Sequence, residues 1–159
     1  MNKNSKAIYP GSFDPVTMGH LDIARRALKI FDEIVVAVAR SDDKKPMFDL
    51  ERRVAMLEKC FEGESRVIVK PFDGLLVDFA RAENTNVLIR GLRAVSDFEY
   101  ELQMGYANQS LDSEIETLYL MPSLKYAFVS SSVVRAILKH GGDVSKIVPQ
   151  NIVGELKCI

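Results

Sequence analysis

A glycine–histidine pair at a predicted strand–helix junction is the first feature of this sequence that could bind phosphate. Ala7-Ile8-Tyr9 predicts a short strand ended by Pro10-Gly11, and Gly19-His20 opens a segment with helical apolar spacing. A helix N-terminus offers an anion free N–H groups and the positive end of a dipole. A lone histidine is more often a core or surface residue, but this context favours a ligand-binding role for His20.

A serine run, Ser130-Ser131-Ser132, precedes a second predicted helix. Its ordinary role is to cap that helix, because serine side chains accept hydrogen bonds from the first N–H groups. The same hydroxyl and N–H groups could hold the β- and γ-phosphates of a nucleotide. Two helix N-termini facing one crevice would supply about the number of donors that a triphosphate needs.

Basic residues follow the ends of the predicted strands rather than being scattered. These residues are Lys44, Lys45, Lys70, Arg90, Arg93 and Lys125, and His20 follows the first strand. Ligands of open α/β sheets bind beyond the carboxyl ends of the strands, so these residues predict a cationic crevice. Lys45, Lys70 and Lys125 are equally well explained as solvated lysines. His140 stands at a helix end, where a cation suits the dipole, and is assigned no role.

The element pattern alternates strands with helices over the 159 residues, which we interpret as a single domain, residues 1–159. Five strands are predicted, at about 7–9, 34–39, 67–69, 87–89 and 117–121, the third ended by Pro71. Helices are predicted after Asp49, which can cap, and from Asp97 to about Leu111. The fold class is therefore α/β, with a doubly wound five-stranded parallel sheet.

The composition excludes several classes of protein. A formal net charge of −1 argues against a non-specific nucleic-acid or membrane binder. Cys60 and Cys158 have no metal-ligand spacing and form no disulfide framework, which favours a reducing, cytoplasmic location. We find no signal-peptide core and no apolar run long enough to span a membrane.

Four segments carry a resemblance to a known family. Tyr9-Pro10-Gly11-Ser12-Phe13-Asp14-Pro15 with Thr17-x-Gly19-His20 resembles the T/HxGH signature of the nucleotidyltransferase α/β phosphodiesterase superfamily, and Val129-Ser130-Ser131-Ser132-x-x-Arg135 resembles its second signature. Lys44-Lys45-Pro46-Met47-Phe48 and the stretch from Leu88 to Glu101 further resemble the bacterial phosphopantetheine adenylyltransferases. The resemblance runs from about Lys6 to near the C-terminus. Its departures are modest, because Ser12 keeps a hydroxyl where threonine is frequent and Tyr126 keeps an aromatic ring where tryptophan is usual.

The resemblance implies a Rossmann-like fold with strand order 3-2-1-4-5 and transfer of the adenylyl group of ATP to 4′-phosphopantetheine. It implies His20, Lys44 and Arg93 as catalytic residues, and Ser12, Lys44, Leu76 and Arg90 as acceptor-binding residues. The implied ATP site consists of Ser12, Phe13, His20, Gly91, Leu92, Arg93, Glu101, Tyr126, Ala127, Phe128, Val129, Ser130, Ser131 and Ser132. Glu101 would orient an arginine or a nucleotide hydroxyl. The resemblance also implies Mg²⁺ held by phosphate oxygens and mostly water, with no metal-binding residue named, a homohexamer, and coenzyme A as a feedback ligand.

Two other functions remain open. A different nucleotidyltransferase, using CTP or a nucleotide monophosphate acceptor, would share His20 and the serine run, although Lys44 and the Arg90–Glu101 segment weigh against it. A nucleotide-binding regulatory module without turnover would have the same fold. The intact His20, Lys44, Arg90 and Arg93 weigh against that module.

Overall fold

The computed structural model describes residues 5–40, 45–93 and 95–156, with residues 95 and 96 described by their backbone. The strands within these residues are β1 (Lys6–Gly11), β2 (Glu33–Ala39), β3 (Val67–Phe72), β4 (Val87–Gly91) and β5 (Glu116–Leu120). The α-helices are α1 (Met18–Ala27), α2 (Leu50–Cys60), α3 (Leu76–Ala82), α4 (Val95–Leu111), α5 (Ser131–Lys139) and α6 (Val153–Leu156). Two short 3₁₀ helices, Leu124–Tyr126 and Gln150–Ile152, complete the described elements.

The sheet is parallel throughout, with the strand order β3-β2-β1-β4-β5. This order confirms the doubly wound α/β fold expected from the sequence. The chain winds outward from β1 to β3 on one side and continues from β4 to β5 on the other. The order therefore reverses between β1 and β4, and a crevice opens there at the carboxyl ends of the strands.

Both faces of the sheet are buried, which explains the continuous apolar runs of the central strands. Residues 34–38 of β2 are fully buried, and their side chains alternate between the two faces. On one face, Ile34 and Val36 join a core with α1, α2 and α5, and on the other, Val35 and Ala37 join a core with α3. Strands covered on both sides need no polar alternation.

Two strand ends were predicted wrongly, since β1 continues through Pro10 and Gly11 and β3 continues through Pro71. Proline lacks an N–H and is tolerated where a strand has a neighbour on one side alone. β3 lies at the edge of the sheet, and Pro71 pairs in register with Val38. Beyond Ile8, β1 keeps its register with β2 but has no further register pair with β4 among the described residues. The proline in β1 thus lies where the crevice opens.

Side-chain caps fix the starts of α1, α2 and α5. Thr17 caps α1, Asp49 caps α2 and Ser130 caps α5, each accepting a hydrogen bond from a backbone N–H of the first turn. α4 begins at Val95, two residues before the predicted start.

Among the residues that the structure describes, no helix is long and apolar enough to cross a membrane.

Candidate active site

A polar cavity of about 260 Å³ lies at the carboxyl ends of β1 and β4, and we call it the nucleotide cavity. One wall is the end of β1 with the loop after it, residues 9–13, and another is the first turn of α1 with Gly19 and His20. Arg90, Gly91 and Arg93 close a third side, and residues 129–132 at the start of α5 close the fourth. Both helix N-termini expected from the sequence therefore face one cavity.

His20 is held by a capping box at the start of α1. The backbone N–H of Thr17 donates to His20 Nδ1 at 3.0 Å, and the backbone N–H of His20 donates to Thr17 Oγ1 at 3.4 Å. The ring also packs edge-on against Phe13, with centroids 4.9 Å apart. Since Nδ1 accepts a hydrogen bond, a neutral ring carries its proton on Nε2. His20 is thereby set up as a hydrogen-bond donor.

The surroundings of His20 keep its ring neutral. Burial, and after it the positive charges of Arg93 and Arg90, lower its pKa to about 3. The ring is therefore uncharged at neutral pH. A neutral ring still donates from its N–H, and such a fixed donor can stabilise a developing negative charge.

Arg90 is fixed by the carboxylate of Glu101. Arg90 Nε and Nη2 each donate to a different carboxylate oxygen of Glu101 at 2.6 Å, and Nη1 donates to the carbonyl of Pro10 at 2.9 Å. Such a two-point pair sets the plane of the guanidinium. These bonds use three of the five N–H groups of Arg90, and the other two have no hydrogen-bond partner among the described residues, so a ligand could bind them.

Two further arginines line the nucleotide cavity. Arg93 donates to the carbonyl of Val129 at 3.3 Å and pairs with Asp97 at 3.3 Å. Arg135 donates to the carbonyl of Asp14 at 2.6 Å and to Ser132 Oγ at 3.2 Å. Their contacts tie the loop after β1 and the start of α5 into one positively charged surface.

The serine run at residues 130–132 can both cap α5 and bind an anion. Ser130 caps α5 by accepting from the N–H of Val133 at 3.1 Å, and Ser131 Oγ donates to the carbonyl of Pro15 at 2.8 Å. The N–H groups of Ser131 and Ser132 lie in the first turn, where no carbonyl of the helix can accept from them. Ser131 and Ser132 line the nucleotide cavity, and free N–H groups at such a helix start suit an anionic ligand.

A second cavity, of about 430 Å³, adjoins the first, and we call it the acceptor cavity. Much of its wall is apolar, including Leu75, Leu76 and Phe72, with α4 forming the opposite side. The two cavities share residues 10–12, Arg90 and Glu101. A ligand with a long uncharged arm could thus extend away from the shared cationic wall.

The structure brings together most of the residues predicted for the site. Those lining one or both cavities are Ser12, Phe13, His20, Leu76, Arg90, Gly91, Arg93, Glu101, Val129, Ser130, Ser131 and Ser132. Leu92, Tyr126, Ala127 and Phe128 line neither. Lys44 lies outside the described residues.

The basic residues to which the sequence assigned no definite role in binding lie outside both cavities. Lys45 is exposed, and Lys70 pairs with Glu83 at 2.7 Å. Lys125 lies 4.7 Å from the ring centroid of Tyr126, and His140 ends α5 as its C-cap. These contacts give each of the last three a structural explanation.

Sequence reasoning missed Arg53, a buried arginine of α2 next to the site. Its guanidinium reaches the carbonyls of Ser12, Ala39 and Phe48. The available signal was its spacing, since Arg53 follows Leu50 by three residues and precedes Leu57 by four. A charged residue on the apolar stripe of a helix indicates a buried cation with a specific task.

The chain is similar in sequence to known proteins. Residues 8–137 match the sequence model of the family described as Cytidylyltransferase-like. A phosphopantetheine adenylyltransferase of Nautilia profundicola is 62% identical over 152 residues, covering 96% of this chain and 99% of its own. Those of Campylobacter curvus and Campylobacter jejuni are 63% and 58% identical, each covering 94% of this chain and respectively 96% and 95% of their own lengths.

The chain therefore belongs to the cytidylyltransferase-like nucleotidyltransferases, within them to the phosphopantetheine adenylyltransferase family.

Proposed function

We propose that this chain transfers the adenylyl group of ATP to 4′-phosphopantetheine, giving dephospho-CoA and pyrophosphate, the penultimate step of coenzyme A synthesis. The observation that carries the proposal is the pair of adjoining cavities. One is polar and cationic, the other has an apolar wall, and both share Ser12 and Arg90. This division suits a triphosphate on one side and a phosphorylated, uncharged arm on the other.

The proposed reaction is a single in-line displacement. An oxygen of the acceptor phosphate attacks the α-phosphorus of ATP and forms a new P–O bond. The bond from the α-phosphorus to the bridging oxygen breaks, and pyrophosphate leaves with that electron pair. The acceptor phosphate is already an anion, so the chain must supply positioning and charge stabilisation rather than a nucleophile.

Each site residue has a proposed part in this reaction. His20 donates from Nε2 to an α-phosphate oxygen, while Lys44, Arg90 and Ser12 hold the acceptor phosphate. Leu76 forms part of the slot for the pantetheine arm. The remaining residues hold ATP, and this set consists of Phe13, Gly91, Leu92, Arg93, Glu101 and the segment from Tyr126 to Ser132. Glu101 acts through Arg90, whose guanidinium it orients.

We also propose that Mg²⁺ accompanies ATP, held by phosphate oxygens and water. Among the described residues that line the two cavities, Glu101 is the acidic one, and its carboxylate is already paired with Arg90. No cluster of three or more possible metal ligands occurs among the described residues. When bound, the ion would neutralise phosphate charge as pyrophosphate leaves.

The proposed assembly is a homohexamer acting in the cytoplasm, with coenzyme A as a feedback ligand. α4 supports a contact between copies, because Phe98 and Tyr106 on it are exposed by 44% and 65%. Coenzyme A contains the same pantetheine arm as the acceptor, so it could compete for the acceptor cavity.

Pyrophosphate release tests the proposed function directly. We expect release with ATP and 4′-phosphopantetheine together, and background release when the acceptor is omitted or replaced by pantetheine, which lacks the attacking phosphate. A parallel reaction with CTP tests the other nucleotidyltransferases of the family. Faster release with CTP, or none with any nucleotide, would refute the proposal.

A further inference from the structure

Arg53 is a cation sealed inside the protein beneath the shared wall of the two cavities. Its residue exposure is 2%, which places it among the largest fully buried side chains. Within the described part of the chain, its hydrogen bonds all go to main-chain carbonyl oxygens: Nη1 to Ser12 at 2.7 Å and Ala39 at 3.0 Å, and Nε to Phe48 at 3.0 Å. Burying a cation is costly unless hydrogen bonds replace its lost contacts with water.

The carbonyls that Arg53 holds lie at the acceptor side of the site. Ser12 follows β1 and Ala39 ends β2, and both residues line the acceptor cavity. Of the three residues whose carbonyls bind Arg53, Ser12 alone also lines the nucleotide cavity. A substitution of Arg53 should therefore weaken the binding of the acceptor more than the binding of ATP.

Asp14 supports the same arrangement from the other side. Its two carboxylate oxygens accept from the N–H groups of Met47 and Phe48, at 2.9 and 2.8 Å. Arg53 donates to the carbonyl of Phe48. The main chain of Phe48 is therefore bound at its N–H by the buried carboxylate of Asp14 and at its C=O by the buried guanidinium of Arg53. The loop after β1 is thereby joined to the segment that leads into α2.

The electrostatics of this wall suggest why a cation is needed. The carbonyl oxygens of Ser12 and Ala39 carry partial negative charge, which opposes an incoming phosphate. A guanidinium bound to the oxygens of Ser12 and Ala39 offsets that charge and adds a full positive charge behind Ser12. An apolar residue at this position would remove the charged donor from the same oxygens.

We propose that Arg53 is a positioning residue for the acceptor phosphate, fixing Ser12 and Ala39 and making the wall of the acceptor cavity favourable to an anion. The inference rests on the proposed function, since it takes 4′-phosphopantetheine as the ligand of that cavity. It predicts that Arg53 contributes to binding the phosphate of the acceptor and does not contribute to binding its pantetheine arm.

The experiment compares the dissociation constants of 4′-phosphopantetheine and pantetheine, measured by isothermal titration or by competition, in wild type, Arg53→Met, Arg53→Lys and Arg52→Met. Arg52 is the matched control, because it is the neighbouring arginine of α2 and is exposed. For Arg53→Met we expect binding of 4′-phosphopantetheine to weaken at least about tenfold, the order of a lost charged hydrogen bond. Pantetheine and ATP binding should change less than about threefold. Arg53→Lys keeps the positive charge but loses the planar set of guanidinium donors, so its affinity for 4′-phosphopantetheine should lie between those of Arg53→Met and wild type.

A double-mutant cycle with Ser12→Ala tests the route of the effect. If Arg53 acts through Ser12, the losses from Arg53→Lys and Ser12→Ala should not add. Thermal melting identifies variants that are folded, and if Arg53→Met is not among them, Arg53→Lys and its cycle decide the matter.

The possible outcomes separate this inference from the proposed function. Equal weakening of pantetheine and 4′-phosphopantetheine would mean that Arg53 only supports the fold, and unchanged binding would also overturn the inference. An active wild type with either of these results leaves the proposed function standing. A wild type that neither turns over nor binds 4′-phosphopantetheine overturns both.

Discussion

At the scale of single residues, the site depends on neighbours that fix each side chain in one chemical state. Thr17 holds His20 through Nδ1, which leaves Nε2–H as the group available to a ligand. Glu101 orients Arg90, and Asp97 pairs with Arg93. These contacts are made before substrate arrives, so little reorganisation is needed at the moment of reaction.

The state of His20 predicts its behaviour with pH. Burial and the charges of Arg93 and Arg90 lower its pKa to about 3, so the ring should stay neutral from about pH 8 down to about pH 5. We expect its imidazole signals, assigned with His20→Gln, to stay constant over that range in NMR titrations. A titration step near the ordinary histidine pKa of about 6.5 would contradict the environment described here.

The same shift has a consequence for stability. In the unfolded chain the ring takes up a proton at about pH 6.5, whereas the folded protein resists protonation until about pH 3. Between these values the unfolded state binds more protons, so His20 lowers stability as the pH falls. Acid unfolding of His20→Gln should lack this contribution. If both proteins lose stability equally below pH 6.5, the lowered pKa is wrong.

Removing the His20 donor tests its proposed role in the transition state. His20→Ala should lower turnover by about 10²- to 10³-fold, while the affinity for ATP changes far less. Steady-state kinetics together with ATP titration make this measurement. Near-normal turnover combined with greatly weakened ATP binding would assign His20 to binding instead.

At the scale of elements, α1 holds the loop that follows β5. Asp22 on α1 accepts from the N–H of Ser123 at 2.7 Å and from its hydroxyl at 2.8 Å, and Arg26 also contacts Ser123 at 3.0 Å. This loop leads to residues 126–132, for which ATP binding is proposed. The helix that carries His20 therefore also sets the position of the opposite wall.

We expect Asp22→Ala to weaken ATP binding several-fold, because it frees Ser123 from α1, with a smaller effect on 4′-phosphopantetheine. Asp78→Ala is the matched control, since Asp78 is an exposed carboxylate paired with Arg81 on α3. Titration of both ligands into both variants makes the comparison. Loss of ATP binding in Asp78→Ala, or its preservation in Asp22→Ala, would show that this anchor is not used.

The elements also show what the sequence could and could not predict. The apolar runs and the capping residues Asp49 and Ser130 predicted most elements, because their causes are local. Pro10 and Pro71 led to wrong predictions of two strand ends. Whether a strand tolerates proline depends on whether a second strand pairs at that position, and this is a property of the sheet. The pairing of Arg90 with Glu101 and the burial of Arg53 depend on long-range packing that spacing only hints at.

At the scale of the whole molecule, α4 exposes large apolar side chains. Tyr106 is 65% exposed and Phe98 is 44% exposed. Large apolar side chains on one exposed helix are typical of a contact between protein chains. Their positions support the proposed homohexamer.

Light scattering should give a mass about six times the 17.8 kDa of the chain. Tyr106→Glu should lower that mass by placing a charge in the contact. Leu124→Glu serves as the control, because Leu124 is 90% exposed and lies outside α4. A monomeric wild type, or dissociation by Leu124→Glu alone, would contradict a contact through α4.

The central claim is that the two substrates occupy adjoining cavities and react across the wall containing Ser12 and Arg90. A crystal structure with 4′-phosphopantetheine and an ATP analogue whose α,β-bridge is methylene tests it most directly. We predict the acceptor phosphate against Ser12 and Arg90, the α-phosphate within hydrogen-bond distance of His20 Nε2, and an acceptor oxygen in line with the bridging carbon. An acceptor phosphate bound away from Arg90, or an α-phosphate out of reach of His20, would contradict the account.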